Sequence, residues 1–212
     1  MKAIIFDLDG VLCSTDQYHY EAWKAIADEL GIPFDETVNN RLRGVSRMDS
    51  LEIVLEQYPH KLTQEEKTAL AEKKNSIYRA LLGKLTPADV TEGAQETMDT
   101  LRSRGWLLAV GSSSKNTPFI LERLGLSGYF DAVSDGNNIT RSKPDPEVFL
   151  KAADMLGLAY GQCLVVEDAL AGAEAAHRAG MKAACVGDAA ACGAGDWNMT
   201  CFAELLDVAE QI

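Results

Sequence analysis

The sequence predicts an α/β protein: a doubly wound parallel-sheet core, Rossmann-like in its alternation, with a small α-helical domain inserted after the first strand. Three observations carry this. Short apolar runs alternate with helical periods over most of the 212 residues, the first run ends in two carboxylates and a glycine, and residues 15–86 show helical patterns with no strand among them. Alternating strands and helices build a parallel sheet, and ligands of such sheets collect beyond the carboxyl ends of the strands.

The first strand is expected over residues 2–6. Ala3, Ile4, Ile5 and Phe6 are consecutive apolar residues, as a strand covered on both faces requires. Asp7 and Asp9 follow two apart, so an extended backbone turns both carboxylates to one side, where they can address one metal ion or one phosphoryl group. Gly10 lets the chain turn away. An ordinary acidic turn would use the same residue types.

Helical periods then run over 18–30, 34–42, 47–57 and 64–82. They predict a helical cap domain over 15–86, interposed in a core made of 1–14 plus 87–212. Such an insertion is expected to act as a lid over Asp7 and Asp9. Pro87 stiffens the return crossing at 85–88 into a plausible hinge.

Further strands are expected over 107–111, 163–166 and 182–186, with a weaker one around 132–133. Helical periods at 92–104, 117–124, 146–156 and 169–179 separate them and stop at Gly105, Gly125, Gly157 and Gly180. The segment 188–199, rich in Ala, Gly and Cys, carries no functional expectation.

Three constellations follow these strands. After 107–110 come Gly111, Ser112, Ser113, Ser114, Lys115 and Asn116, whose free N–H groups and hydroxyls at a helix start can hold a phosphate, or simply cap the helix. Lys143 stands in a proline-stiffened loop before the next helix, a position equally open to a surface lysine. Glu167 and Asp168 form a second acidic pair after a buried strand. Two acidic pairs at two strand ends point to a hard cation such as Mg²⁺, which favours carboxylate and water oxygens.

Composition limits the partners. With 47% apolar residues the chain can bury a substantial core, and its net charge of −12 argues against nucleic acid or an anionic membrane. There is no basic leader with an apolar core, and no apolar run approaches the roughly 18 residues of a membrane span, so a cytoplasmic protein is expected. Five cysteines without a CxxC pair suggest neither a disulfide framework nor a zinc site. Cys163 and Cys185 read as buried hydrophobes. Cys13, four residues beyond Asp9, is either core or an oxidisable thiol near the site.

Taken in order, Phe6-Asp7-Leu8-Asp9-Gly10, Ser112, Lys143 and Glu167-Asp168 resemble the four motifs of the haloacid dehalogenase superfamily over nearly the whole chain. The insertion is similar to that of its β-phosphoglucomutase branch: residues 15–23 with Thr15, His19 and Trp23, then Arg43, Gly44, Val45, Ser46 and Arg47 with Asp49, Ser50 and Leu51, then Lys73, Lys74 and Asn75.

The resemblance implies interconversion of β-D-glucose 1-phosphate and glucose 6-phosphate through β-glucose 1,6-bisphosphate, with a sugar-phosphate phosphatase as the alternative. Asp7 would be the nucleophile and Asp9 the general acid and base. Mg²⁺ would be held by Asp7, the Asp9 carbonyl, Glu167 and Asp168, while Lys143, Ser112 and the Ser113 N–H would hold the transferring oxygens. Arg47 would grip the distal phosphate, with Ser114, Lys115 and Asn116 extending that contact, and His19, Lys74 and Trp23 would line the sugar. Thr15, Gly44, Val45, Ser46 and Ser50 complete the implied substrate site. The implied partner is a small phosphorylated sugar, and a monomer is the default expectation.

Overall fold

A computed structural model describes residues 2–43 and 45–212. They form a six-stranded parallel sheet of β1 (Ala3–Phe6), β2 (Leu107–Gly111), β3 (Ala132–Ser134), β4 (Cys163–Glu167), β5 (Lys182–Cys185) and β6 (Trp197–Asn198). The strand order is β3-β2-β1-β4-β5-β6. The chain order reverses at β1, where an open parallel sheet leaves a crevice at its carboxyl edge.

The helices are α1 (Asp16–Leu30), α2 (Glu36–Asn40), α3 (Arg47–Val54), α4 (Gln64–Leu82), α5 (Ala94–Ser103), α6 (Thr117–Arg123), α7 (Glu147–Leu156), α8 (Leu170–Arg178), α9 (Gly187–Ala191) and α10 (Leu205–Glu210). The chain separates into two compact units, one of Met1–Ser14 with Thr86–Ile212 and the other of Thr15–Leu85. Among the described residues no helix is long and apolar enough to cross a membrane.

In the sheet unit β1 is central, paired with β2 through Phe6 and Val110 and with β4 through Phe6 and Val166. All four of its residues are fully buried, as its unbroken apolar run requires. Ala3 and Ile5 join a core with Val148, Phe149 and Ala152 of α7 and Ala173 and Ala176 of α8. Phe6 packs instead with Phe202, their rings stacked at 5.8 Å between centroids. Fully burying a side chain of this size contributes about 1.5–3 kcal/mol.

The helical unit has its own core of Trp23, Ile26, Ala27, Leu51, Val54 and Ala71. Helix α1 stops at Gly31, whose φ of 69° is the left-handed cap position that glycine adopts without steric cost. Helix α4 starts with a reciprocal cap: Glu66 N–H donates to Thr63 Oγ1 and Thr63 N–H donates to the Glu66 carboxylate.

Several boundaries differ from the sequence expectation. The period over 34–42 yields only α2, because the Asp35 carboxylate accepts from Val38 N–H and fixes the start at Glu36. The period over 47–57 becomes α3 followed by a 3₁₀ turn at Leu55–Gln57. Strand β5 ends at Cys185 rather than 186. Strand β6, α9 and α10 add to the elements that periodicity predicts. Two residues of β6 are too few to show a pattern, and the strand exists because Trp197 and Asn198 pair with Ala184 and Cys185.

Candidate active site

Asp7 follows directly on β1, and its N–H continues the ladder by donating to Val166 O at 2.9 Å. Glu167 is the last residue of β4, one strand over, and Asp168 is the next residue. Donor atoms of Asp7, Glu167 and Asp168 lie within 4.8 Å of one another. The loop after β3 brings in Lys143, whose ammonium donates to both Asp7 Oδ1 and Glu167 Oε1. Its Nζ also lies 4.8 Å from the centre of the Phe149 ring.

The cluster is buried, with Glu167 at 1% and Lys143 at 5% exposure. Burial would pull the Lys143 ammonium down, but Asp7 and Glu167 outweigh it and hold it above its ordinary range. Burial raises the Asp7 carboxyl well above the usual carboxylate range; Lys143 pulls back, and Glu167 and Asp168 push further up. The all-oxygen donor set of these three clustered carboxylates fits a hard divalent cation such as Mg²⁺.

Two glycines make room for this geometry. Gly10, with φ of 85°, turns the chain after Asp9, and a Cβ there would stand 2.1 Å from Asp168 Oδ2. A Cβ at Gly172 on α8 would stand 1.9 Å from the Glu167 carboxyl. Glu167 is further fixed because its Oε2 accepts from Asp168 N–H at 3.0 Å and Ala169 N–H at 3.1 Å. Asp9 is half-buried and bridges to Cys13, so it sits in the same turn with its backbone tied down. Cys13 is buried, and burial with Asp9 and Asp7 nearby pushes its thiol far up, which selects core packing over an oxidisable thiolate.

Ser112 extends β2, its N–H donating to Ser134 O at 3.0 Å. Two helix-start donors expected to be free are engaged instead: Ser114 N–H donates to Ser112 Oγ and Asn116 N–H to Ser114 Oγ, each at 3.2 Å. Among the described residues none accepts from Ser113 N–H. Ser113 Oγ accepts from Lys143 N–H at 3.5 Å, tying the serine loop to the lysine loop. Asn116 is buried, and Lys115 is exposed.

A second constellation lies within the helical unit. Lys74 of α4 is 2% exposed, with Nζ 2.9 Å from His19 Nδ1, 4.4 Å from the Tyr78 ring centre and 4.9 Å from that of Trp23. An ammonium can only donate, so Nδ1 accepts and the imidazole proton is on Nε2. Burial, then the Lys74 and Arg47 charges, hold His19 well below its ordinary 6.5. Thr15 Oγ1 and Tyr78 Oη share a hydrogen bond at 2.8 Å. Tyr78 was missed by sequence reasoning, although its place one helical turn after Lys74 was a usable signal.

Arg47 is the first residue of α3, with Ser46 as its cap: Asp49 N–H donates to Ser46 Oγ at 3.2 Å. Its guanidinium is partly buried, and burial lowers its pKa. Ser50 is buried and Val45 half-buried, while Gly44 lies outside the described residues. Trp23 is 1% exposed and belongs to the helical core.

A profile of haloacid dehalogenase-like hydrolases matches residues 1–180. The chain belongs to this family. It is 44% identical over 189 residues to β-phosphoglucomutase of Bacillus subtilis, an alignment covering 88% of this chain and 84% of that protein. It is 33% identical over 185 residues to a phosphorylated carbohydrates phosphatase of Thermotoga maritima, covering 86% and 83% of the two chains. A crystal structure of β-phosphoglucomutase from Clostridium difficile superposes with a TM-score of 0.94 at 34% identity, covering 100% of this chain and 96% of the other.

Proposed function

We propose that this family member is a β-phosphoglucomutase, interconverting β-D-glucose 1-phosphate and glucose 6-phosphate through β-glucose 1,6-bisphosphate, and that it acts as a cytoplasmic monomer. The single observation that carries the reading is the Lys143–Asp7–Glu167–Asp168 cluster at the carboxyl edge of the sheet, in a chain 44% identical to a protein of that name.

Asp7 attacks phosphorus in line and takes the phosphoryl group as an aspartyl phosphate, dividing one difficult transfer into two. Asp9 protonates the leaving sugar oxygen, then removes the proton from the hydroxyl that attacks in return. Lys143, Ser112 and the Ser113 N–H hold the transferring oxygens. Asp7, the Asp9 carbonyl, Glu167 and Asp168 would hold Mg²⁺, which would supply the positive charge that an anionic nucleophile needs beside an anionic phosphate.

The helical unit is the cap. Arg47 holds the phosphate that does not react, because its planar fork suits a phosphate bidentately. His19, Lys74, Thr15, Val45, Ser46 and Ser50 are assigned to the sugar, and Ser114, Lys115 and Asn116 to the distal phosphate. Trp23 acts from beneath, as the aromatic support of Lys74.

A Mg²⁺-dependent reaction with β-glucose 1-phosphate and a trace of its 1,6-bisphosphate tests this, with glucose 6-phosphate and free phosphate followed together. Isomer formation with little phosphate supports the mutase. Phosphate without isomer transfers the assignment to a sugar-phosphate phosphatase, the activity named for the 33% identical relative.

A further inference from the structure

The loop between β3 and α7 has two edges at the site. At one, Gly136 N–H donates to Ser114 O at 3.2 Å and the Asn137 side-chain amide donates to Lys115 O at 3.0 Å. A Cβ at Gly136 would stand 2.5 Å from Ser113 O, so the two loops are in close backbone contact. At the other edge the loop delivers Lys143 to Asp7 and Glu167.

One carboxylate closes this loop upon itself. Glu147 Oε2 accepts from Thr140 N–H at 3.0 Å, Thr140 Oγ1 at 2.9 Å and Arg141 N–H at 2.8 Å. Its other oxygen is 3.0 Å from Lys151 Nζ, one turn along α7. Lys151, followed by the Thr140 and Arg141 donors, holds the Glu147 carboxyl down at about 2. Two residues on, Phe149 places its ring under the Lys143 ammonium. Helix α7 therefore holds the loop at Thr140 and Arg141 and meets it again at the Lys143 ammonium.

We propose that Glu147 is a positioning residue for phosphoryl transfer: by pinning Thr140 and Arg141 it holds the loop that presents Lys143 to Asp7 and Glu167. The proposal rests on the reading of Lys143 as a phosphoryl-holding group. Glu147 touches none of the reacting atoms and acts through Lys143. A displaced ammonium would leave Asp7 and Glu167 without their buried counter-charge, and misplacement of about 1 Å can lower a rate by about 100-fold.

The test compares the wild-type chain with Glu147→Ala, Glu147→Gln and, as a control, Glu174→Gln, whose carboxylate pairs with Arg178 within α8. Two quantities are read: kcat and KM for the sugar phosphate, and labelling of Lys143 by an amine reagent, located by mass spectrometry. Reactivity of the buried Cys163 and Cys185 thiols reports the integrity of the sheet unit.

Glu147→Ala is expected to lower kcat about 10- to 100-fold and to open Lys143 to labelling while both thiols stay protected. Glu147→Gln is expected to recover part of both, because an amide oxygen still accepts from Thr140 and Arg141. Wild-type kcat and labelling in Glu147→Ala would overturn the proposal. So would opening of both thiols together with Lys143 in both Glu147 variants, which would make Glu147 a support of the whole sheet unit. If the wild-type chain turns over no sugar phosphate, the functional reading falls, and Lys143 labelling alone decides whether Glu147 pins the loop.

Discussion

Asp7, the proposed nucleophile, is set apart by what surrounds it: one ammonium, two further carboxylates and a buried setting at the end of a central strand. Replacing Asp7 by Asn keeps the shape and removes the nucleophile. Turnover of β-glucose 1-phosphate should fall by at least about 10⁴-fold, as when other covalent nucleophiles are removed; retained turnover would exclude an aspartyl phosphate. His19 sets a separate prediction within the helical unit. Its folded pKa is depressed, so between that value and 6.5 the unfolded chain binds a proton that the folded chain does not. Its neutral form is favoured in the folded state at neutral pH, and the unit loses stability as pH falls below about 6.5. Urea unfolding of the wild type and His19→Asn at pH 7 and pH 5.5 checks this. The wild type should lose more stability than the variant over that interval.

At the level of elements, the strands with unbroken apolar runs were legible, and so were both ends of α4, whereas the start of α2 and the end of α3 were not. Residues 3–6, 108–110 and 163–166 combine burial on both faces with apolar sequence, whereas the start of α2 depends on the single cap residue Asp35. Close approach between elements was invisible. Gly172 reads in the sequence as an ordinary glycine within a helical period, yet in the fold it is the space that Glu167 occupies. Gly172→Ala is expected to displace the Glu167 carboxyl and to destabilise the chain by about 1–3 kcal/mol, the usual cost of overpacking. Denaturant unfolding measures the second effect, and a rise in the Mg²⁺ concentration needed for half-maximal activity reports the first. The serine loop is partly closed on itself: the Ser112 and Ser114 hydroxyls accept from the Ser114 and Asn116 N–H groups, which leaves their own O–H groups to donate to a phosphate.

For the whole molecule, three carboxylates gathered from two strand ends exist as a site only in the folded chain. A cation bound there stabilises the native state by mass action, about 2.7 kcal/mol at 100 times its Kd. Thermal unfolding should therefore shift upward with added Mg²⁺ and return on chelation, and Asp168→Asn should need more Mg²⁺ for the same shift. An unchanged midpoint in the wild type would argue against the site. The thiols report the fold as a whole. Cys192 and Cys201 are exposed and should react with a thiol reagent in the native protein, while the buried Cys13, Cys163 and Cys185 should react only on unfolding.

The sheet, the helical insertion and the candidates Asp7, Asp9, Lys143, Glu167 and Asp168 are written in local patterns, apolar periodicity and strand-end acids, that can be read along the chain. The folded chain adds that Lys143 bridges Asp7 and Glu167 across 136 and 24 residues of chain, that Tyr78 and Trp23 surround Lys74, and that Glu147 closes the lysine loop. Those facts depend on which strands become neighbours and how closely their loops approach. No local periodicity encodes that, since it is set by the burial of a shared core.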